Sequence, residues 1–149
     1  MGHQWVERIC ADPVVHMAVL DRIAPRLLGL IETSRSVGFV VKGHSGFALA
    51  SGLMVLTGKP MILIRSVGEK PQCADYQPSG YQRHDRGSRW VFVDDLIATG
   101  STYDRVESEL DKVGHRIGGI LCYGCGNSLD YPFRGIERVF VNCRDLIER

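Results

Sequence analysis

Five short apolar runs constrain the fold of this chain more than any other feature of its sequence. They read VGFVV, MILIR, RWVFV, RIGGILCY and RVFVN, and they begin at residues 37, 61, 89, 116 and 138. Runs without alternating polar residues are typical of strands buried on both faces of a sheet. Parallel strands need long crossover connections, and the intervals between the runs are long enough to form them. The pattern predicts one α/β domain over residues 1–149, built on a Rossmann-like parallel sheet of about five strands with helices on both faces.

The connecting segments carry helix signals. Asp12 followed by Pro13 is typical of a helix start, and Pro25 predicts a kink or a restart in the same helix. Residues 46–57 have helical length and composition and are followed by Gly58, a residue that commonly ends a helix. Residues 103–112 form a charged helical pattern that Gly114 ends.

Composition excludes several classes of function. The 149 residues carry a formal net charge of +1, which gives no basic footprint and argues against nucleic acid as a partner. The sequence has no run of eighteen apolar residues and no basic and then apolar leader at its start. We therefore expect a cytoplasmic protein that does not use a membrane.

Two loops follow apolar strands and lead into helices: the KGHSG loop, residues 42–46, and the acidic loop, residues 94–102, which reads DDLIATGST. Ligands of open α/β sheets bind beyond the carboxyl ends of the strands. Helix-start N–H groups with Thr99, Ser101 and Thr102 suit a phosphate, whereas Asp94 and Asp95 suit ribose hydroxyls or a divalent metal. A phosphorylated sugar satisfies both halves of the acidic loop. The alternative is an Asp-rich turn that caps a helix in another α/β fold.

The stretch VFVDDLIATGST, residues 91–102, resembles the signature of the type I phosphoribosyltransferases, which bind phosphoribosyl pyrophosphate (PRPP). Upstream, the segment FVVKGHSGFALASGLMVLTGKPMILIR resembles the pyrophosphate loop, helix and next strand of that family. The resemblance implies transfer of a 5-phosphoribosyl group from PRPP to a nucleobase, giving a nucleoside monophosphate and pyrophosphate. It also implies Mg²⁺ held mainly by ligand oxygens and water, with no direct protein ligand, and a minimal hood over the base.

The resemblance assigns residues to each part of PRPP. Four would share the catalytic work: Asp94 and Asp95 at the ribose, and Lys42 and Arg65 at the pyrophosphate. Five would bind the 5′-phosphate: Ala98, Thr99, Gly100, Ser101 and Thr102. Pyrophosphate would lie on Lys42, Gly43, His44 and Ser45, and the Lys-Gly step of hypoxanthine-guanine enzymes implies a cis peptide bond there. Arg65 is equally well explained as a solvated strand-end arginine.

Residues 69–87 lie where the family keeps a flexible catalytic loop. Four residues in it could meet pyrophosphate charge on closure: Lys70, Arg83, His84 and Arg86. A disordered insertion is the alternative. Base recognition is harder to assign: Tyr123, Tyr131 and Phe133 could stack on a base, or could simply pack locally.

The acceptor base is ambiguous. Hypoxanthine-guanine enzymes have an Asp where Ala98 stands, so DDLIATGST is nearer to adenine enzymes, although the Lys42-Gly43 step is nearer to the hypoxanthine-guanine type. A purine salvage enzyme is slightly favoured. A non-catalytic protein that senses PRPP or a nucleotide is the alternative, and near-neutral charge argues against a nucleic-acid-binding regulator. The family often forms homodimers, but the sequence identifies no interface.

The cysteines add little to this interpretation. Cys122 and Cys125 form a C-x-x-C pair, and Cys143 lies near the end of the next strand. A zinc site would need a further ligand at suitable spacing, which the sequence does not supply. Buried or incidental thiols are the favoured explanation.

Overall fold

The computed structural model describes residues 3–64, 85–124, 133 and 135–149. It contains five strands, β1 (Ser36–Lys42), β2 (Met61–Ile64), β3 (Arg89–Asp94), β4 (Arg116–Cys122) and β5 (Glu137–Phe140). They form one sheet in the order β2-β1-β3-β4-β5, and each neighbouring pair is parallel. The strands match the five apolar runs to within two residues at either end. The predicted α/β fold is therefore confirmed.

The helices are α1 (His3–Ala11), α2 (Pro13–Ser34), α3 (His44–Thr57), α4 (Ser101–Lys112) and α5 (Arg144–Ile147). Asp12 caps α2, because its carboxylate accepts hydrogen bonds from the N–H groups of Val14 and Val15 at 3.0 and 3.3 Å. The expected restart at Pro25 is wrong, since α2 runs through it. Buried apolar residues on both sides of the proline, including Ile23 and Leu27, hold the helix on the sheet despite the lost hydrogen bond.

The sheet separates two cores because side chains alternate along a strand. One face packs against α1, α2, α3 and α5, with Phe39, Val41 and Val93 contributed by the sheet. The other face packs against α4, with Trp90 and Phe92 contributed by the sheet. No helix among the described residues is long and apolar enough to cross a membrane.

Gly46 permits the close approach of α3 to the sheet. A Cβ atom at this position would lie 2.4 Å from the carbonyl oxygen of Val93 and 3.1 Å from Cβ of Val41. Any larger residue would push the first turn of α3 away from the ends of β1 and β3. The glycine thus brings a helix start directly onto the sheet edge where the two loops lie.

Candidate functional site

The KGHSG loop and the acidic loop meet at one edge of the sheet, because β1 and β3 are adjacent parallel strands. Each loop leads into a helix through a glycine with positive φ: Gly43 at 90° before α3, and Gly100 at 82° before α4. Gly43 and Gly100 stand at the N-cap positions and have no side chain that could cap these helices. Main-chain N–H groups of two first turns are therefore available to anions at the same edge.

The acidic loop encloses a small cavity of about 140 Å³. The Thr99 hydroxyl donates a hydrogen bond to Ser101 Oγ at 3.0 Å and accepts one from the Ser101 N–H at 3.3 Å. These bonds fold the loop around the start of α4. The lining includes all five residues predicted to bind the 5′-phosphate: Ala98, Thr99, Gly100, Ser101 and Thr102. Their hydroxyl and N–H donors are suited to a phosphate.

The two adjacent acids have different environments. Asp94 is 6% exposed, and its Oδ1 accepts hydrogen bonds from the Ser45 hydroxyl at 2.8 Å and from the Asp95 N–H at 2.9 Å. The pKa of Asp94 is raised to about 7, mainly by burial and also by the side chain of Asp95, whereas the Ser45 hydrogen bond opposes the rise. Asp95 is half-buried. Asp94 is thus oriented toward protein groups, and Asp95 is the more accessible carboxylate.

The KGHSG loop joins this arrangement through Ser45. Lys42 is half-buried at the end of β1, whereas Gly43 and His44 are exposed. The implied cis bond between Lys42 and Gly43 is wrong, because this peptide is trans. The positive φ of Gly43 makes the turn into α3 with a trans bond.

Tyr123 lies beside the same loops, although its predicted role does not fit its position. The residue is fully buried in the core on the α2 side, and its hydroxyl donates a hydrogen bond to the main-chain oxygen of Ser45 at 2.7 Å. A ring enclosed in this way is not available to stack on a base.

Phe133 is also enclosed by protein. It is 7% exposed, its ring meets the ring of Tyr103 edge-on with centroids 5.0 Å apart, and the Arg138 guanidinium lies 5.4 Å from its centroid. For Phe133 the geometry favours the alternative of local packing. Several predicted residues lie outside the described part of the chain: Arg65, Lys70, Arg83, His84, Cys125 and Tyr131.

The structure does not bring Arg86 to the site. Its side chain lies over Gly114, where an added Cβ would be 2.8 Å from Arg86 Nε, and the Gly87 N–H donates to the Gly114 oxygen. These residues precede β3 and β4, whereas the two loops follow β1 and β3. The six residues of β3 span about 16 Å, so Arg86 lies at the opposite edge of the sheet.

The described cysteines do not form a metal site. Cys122 is buried on the α4 side of the sheet, whereas Cys143 is buried on the α2 side. Burial raises the pKa of the Cys143 thiol to about 11. No cluster of three or more His, Cys, Asp or Glu residues suited to a metal occurs in the described part of the chain. The burial of Cys122 and Cys143 agrees with their interpretation as buried thiols.

Curated proteins that are similar to this chain are named as phosphoribosyltransferases. The chain is 29% identical over 119 residues to the hypoxanthine/guanine phosphoribosyltransferase of Methanocaldococcus infernus, a match that covers 74% of this chain and 65% of the relative. It is 27% identical over 119 residues to the adenine phosphoribosyltransferase of Chlorobium phaeobacteroides, covering 73% and 67%. The chain thus spans just under two thirds of the length of the first relative. No protein-family model matches the chain.

Solved structures give the same fold. The adenine phosphoribosyltransferase of Thermoanaerobacter pseudethanolicus superposes with a TM-score of 0.69 at 20% identity, covering 89% of this chain and 82% of that structure. The orotate phosphoribosyltransferase of Aeropyrum pernix gives a TM-score of 0.62 at 21% identity, covering 93% and 77%. The resemblance predicted from the sequence is confirmed: this chain has the fold of the type I phosphoribosyltransferases and resembles hypoxanthine/guanine and adenine phosphoribosyltransferases in sequence.

Proposed function

We propose that this protein transfers the 5-phosphoribosyl group of PRPP to a purine base and releases pyrophosphate. One observation carries the proposal: two loops at neighbouring strand ends each present a helix start, and two carboxylates lie at the beginning of the acidic loop. PRPP has a complementary pattern, because it carries anionic groups at both ends and vicinal hydroxyls on the ribose between them.

In this proposal each end of the substrate binds to its own loop. The cavity of the acidic loop would hold the 5′-phosphate on N–H and hydroxyl donors, from Thr99 to Thr102. Asp95 would accept hydrogen bonds from the ribose hydroxyls, and its negative charge would stabilise positive charge at the anomeric carbon as pyrophosphate departs. Lys42 and the start of α3 would bind the departing pyrophosphate.

Mg²⁺ is part of this proposal. The described residues contain no group of three or more His, Cys, Asp or Glu side chains that could enclose a metal ion. Mg²⁺ usually binds through one or two carboxylates together with substrate phosphates and water. Here pyrophosphate oxygens and water would hold the ion without a direct protein ligand, and the ion would neutralise charge on the pyrophosphate.

The purine assignment follows from the relatives, which are named for hypoxanthine/guanine and for adenine. The lid over residues 69–87, the homodimer and the cytoplasmic location stay predictions from the sequence.

The test measures pyrophosphate release from PRPP and Mg²⁺ with adenine, hypoxanthine, guanine or xanthine as the acceptor. Orotate and uracil serve as pyrimidine controls, and calorimetry follows PRPP binding in parallel. We expect release with a purine and formation of the matching nucleoside monophosphate. Binding without release would favour the sensor alternative, and the absence of both would overturn the proposal.

A further inference from the structure

We propose that Ser45 is a positioning residue that braces the KGHSG loop against the acidic loop, and that its hydroxyl does not bind pyrophosphate. This inference rests on the proposed function, because it concerns how the two loops hold one PRPP molecule. We call the hydrogen-bonded set Tyr123, Ser45 and Asp94 the brace.

The brace joins the ends of three neighbouring strands. Ser45 follows β1, Asp94 ends β3 and Tyr123 follows β4, and these strands are adjacent in the order β1-β3-β4. The main-chain oxygen of Ser45 accepts a hydrogen bond from the Tyr123 hydroxyl at 2.7 Å, and its side-chain hydroxyl donates to Asp94 at 2.8 Å. Ser45 is therefore held from two sides, through its main chain and through its side chain.

Both partners of Ser45 are fixed in the core. Tyr123 is fully buried and Asp94 is 6% exposed. The Tyr123 N–H donates to the Asp94 oxygen at 3.2 Å, so the two partners are also joined through their main chains. Burial raises the pKa of Tyr123, which keeps its hydroxyl protonated as a donor. Together with the close approach at Gly46, these contacts define where the first turn of α3 lies relative to the acidic loop.

The direction of the Ser45 hydrogen bond argues against a contact with pyrophosphate. A serine hydroxyl has one proton, and Ser45 donates it to Asp94. The remaining lone pairs of the oxygen are acceptors, which do not attract an anion. Donors for pyrophosphate in this loop would instead be Lys42, His44 and the N–H groups at the start of α3.

A brace of this kind should matter most to a ligand that spans both loops. PRPP links a 5′-phosphate and a pyrophosphate through one ribose, so its binding depends on the distance between the two loops. Pyrophosphate alone and ribose 5-phosphate alone each need one loop. Holding both loops at the correct separation before binding avoids the cost of ordering them.

The experiment compares calorimetric affinities for PRPP, pyrophosphate and ribose 5-phosphate, each with Mg²⁺, in the full chain. The variants are Ser45→Ala, Tyr123→Phe and Ser45→Thr. Ser51→Ala is the matched control, since Ser51 lies further along α3 and its hydroxyl donates to Ala48 within that helix. Thermal unfolding of every variant shows whether it is folded.

We expect Ser45→Ala and Tyr123→Phe each to weaken PRPP binding about tenfold, as the loss of one hydrogen bond predicts, with fragment affinities changed by less than about twofold. Ser45→Thr, which retains the hydroxyl, should restore PRPP affinity, and Ser51→Ala should leave all three affinities unchanged.

Other outcomes overturn the brace in recognisable ways. A similar loss for pyrophosphate and for PRPP would make Ser45 a direct ligand. A loss for all three ligands together with a lower unfolding temperature would show a general structural role. If the wild-type protein binds PRPP and no variant changes that affinity, the brace alone is wrong; if the wild-type protein does not bind PRPP, the proposed function fails and the brace fails with it.

Discussion

The two edges of the sheet differ in a way that separates the candidate site from an ordinary charged surface. The amino edge has the larger cavity, about 340 Å³, lined in part by exposed charged residues of both signs: Arg89, Glu107, Asp111 and Arg116. The carboxyl edge has a cavity of about 140 Å³, yet it combines two helix starts with a buried carboxylate. Solvated charges of both signs largely offset one another, whereas oriented donors and a desolvated acid can select a ligand. Cavity size alone would have selected the amino edge.

The largest expected effect is on turnover and tests the comparison directly. We expect Asp95→Asn to lower kcat/KM for PRPP by about a hundredfold or more, because the carboxylate would no longer stabilise the charge that develops at the ribose. Asp111→Asn removes an equivalent charge at the amino edge and should change kcat/KM by less than about twofold. Equal effects in the two variants would remove the distinction between the edges.

The next effect concerns packing at the carboxyl edge. Gly46→Ala should lower the free energy of unfolding by about 3 kcal/mol, since the new Cβ would clash with the Val93 oxygen. Gly29→Ala is the matched control within α2, where an added Cβ has no heavy atom within 4 Å. It should stabilise the protein by about 0.8 kcal/mol through helix propensity. Urea unfolding measures both changes, and a Gly46→Ala variant as stable as the wild type would contradict the close approach.

A smaller effect depends on pH. The pKa of Asp94 is about 7 in the folded protein, compared with its ordinary value of 3.8, which we take for the unfolded chain. The folded state therefore binds this proton more tightly than the unfolded state does. The protonated Asp94 side chain therefore contributes its full stabilisation of the folded state below pH 3.8, and this contribution is lost as pH rises through 7. Relative to Asp94→Asn, the wild-type protein should gain about 2–3 kcal/mol between pH 8 and pH 5.

Urea unfolding of the wild type and of Asp94→Asn at four pH values measures this gain. Asp111→Asn, at the amino edge, controls for the removal of one negative charge. A constant difference between the wild type and Asp94→Asn across the pH range would show that Asp94 has an ordinary pKa.

The smallest expected effect is that of a substitution at the amino edge, which should leave the kinetics almost unchanged. Arg86→Ala should change kcat and the KM for PRPP by less than about twofold, because Arg86 lies over Gly114 at the amino edge. Steady-state kinetics with varied PRPP measures both constants. A large rise in KM would instead support the predicted role of Arg86 in the lid, where it would meet pyrophosphate charge.

The sequence predicted the strands and the two loops because those signals are local. An apolar run and the turn after it identify a strand end wherever that strand lies in the sheet. The face to which a strand-end side chain points is a different property, since it depends on register. The run RIGGILCY does not alternate, so nothing in it showed that Cys122 faces α4 and Tyr123 faces α2. The enclosed position of Tyr123 could not be predicted for that reason.

Tertiary contacts account for the other differences. Pro25 reads locally as a break, but burial on both sides of it keeps α2 continuous. Arg86 reads locally as one of several cations in a polar segment, and its position was fixed by a contact with Gly114, which is distant in sequence. The helices α1 and α5 were not predicted at all, since α1 has nine residues and α5 only four, too few to show a clear period.

The glycines that begin α3 and α4 have a consequence for the stability of the loaded protein. Serine or aspartate at these positions could cap each helix, whereas glycine leaves the N–H groups of the first turn, apart from that of Ser101, to water or to a ligand. A bound phosphate would act as the missing helix cap, so the substrate would complete the secondary structure of the protein that binds it. Ligand binding and helix capping would then be one event, and the unfolding temperature should rise with PRPP concentration as mass action requires.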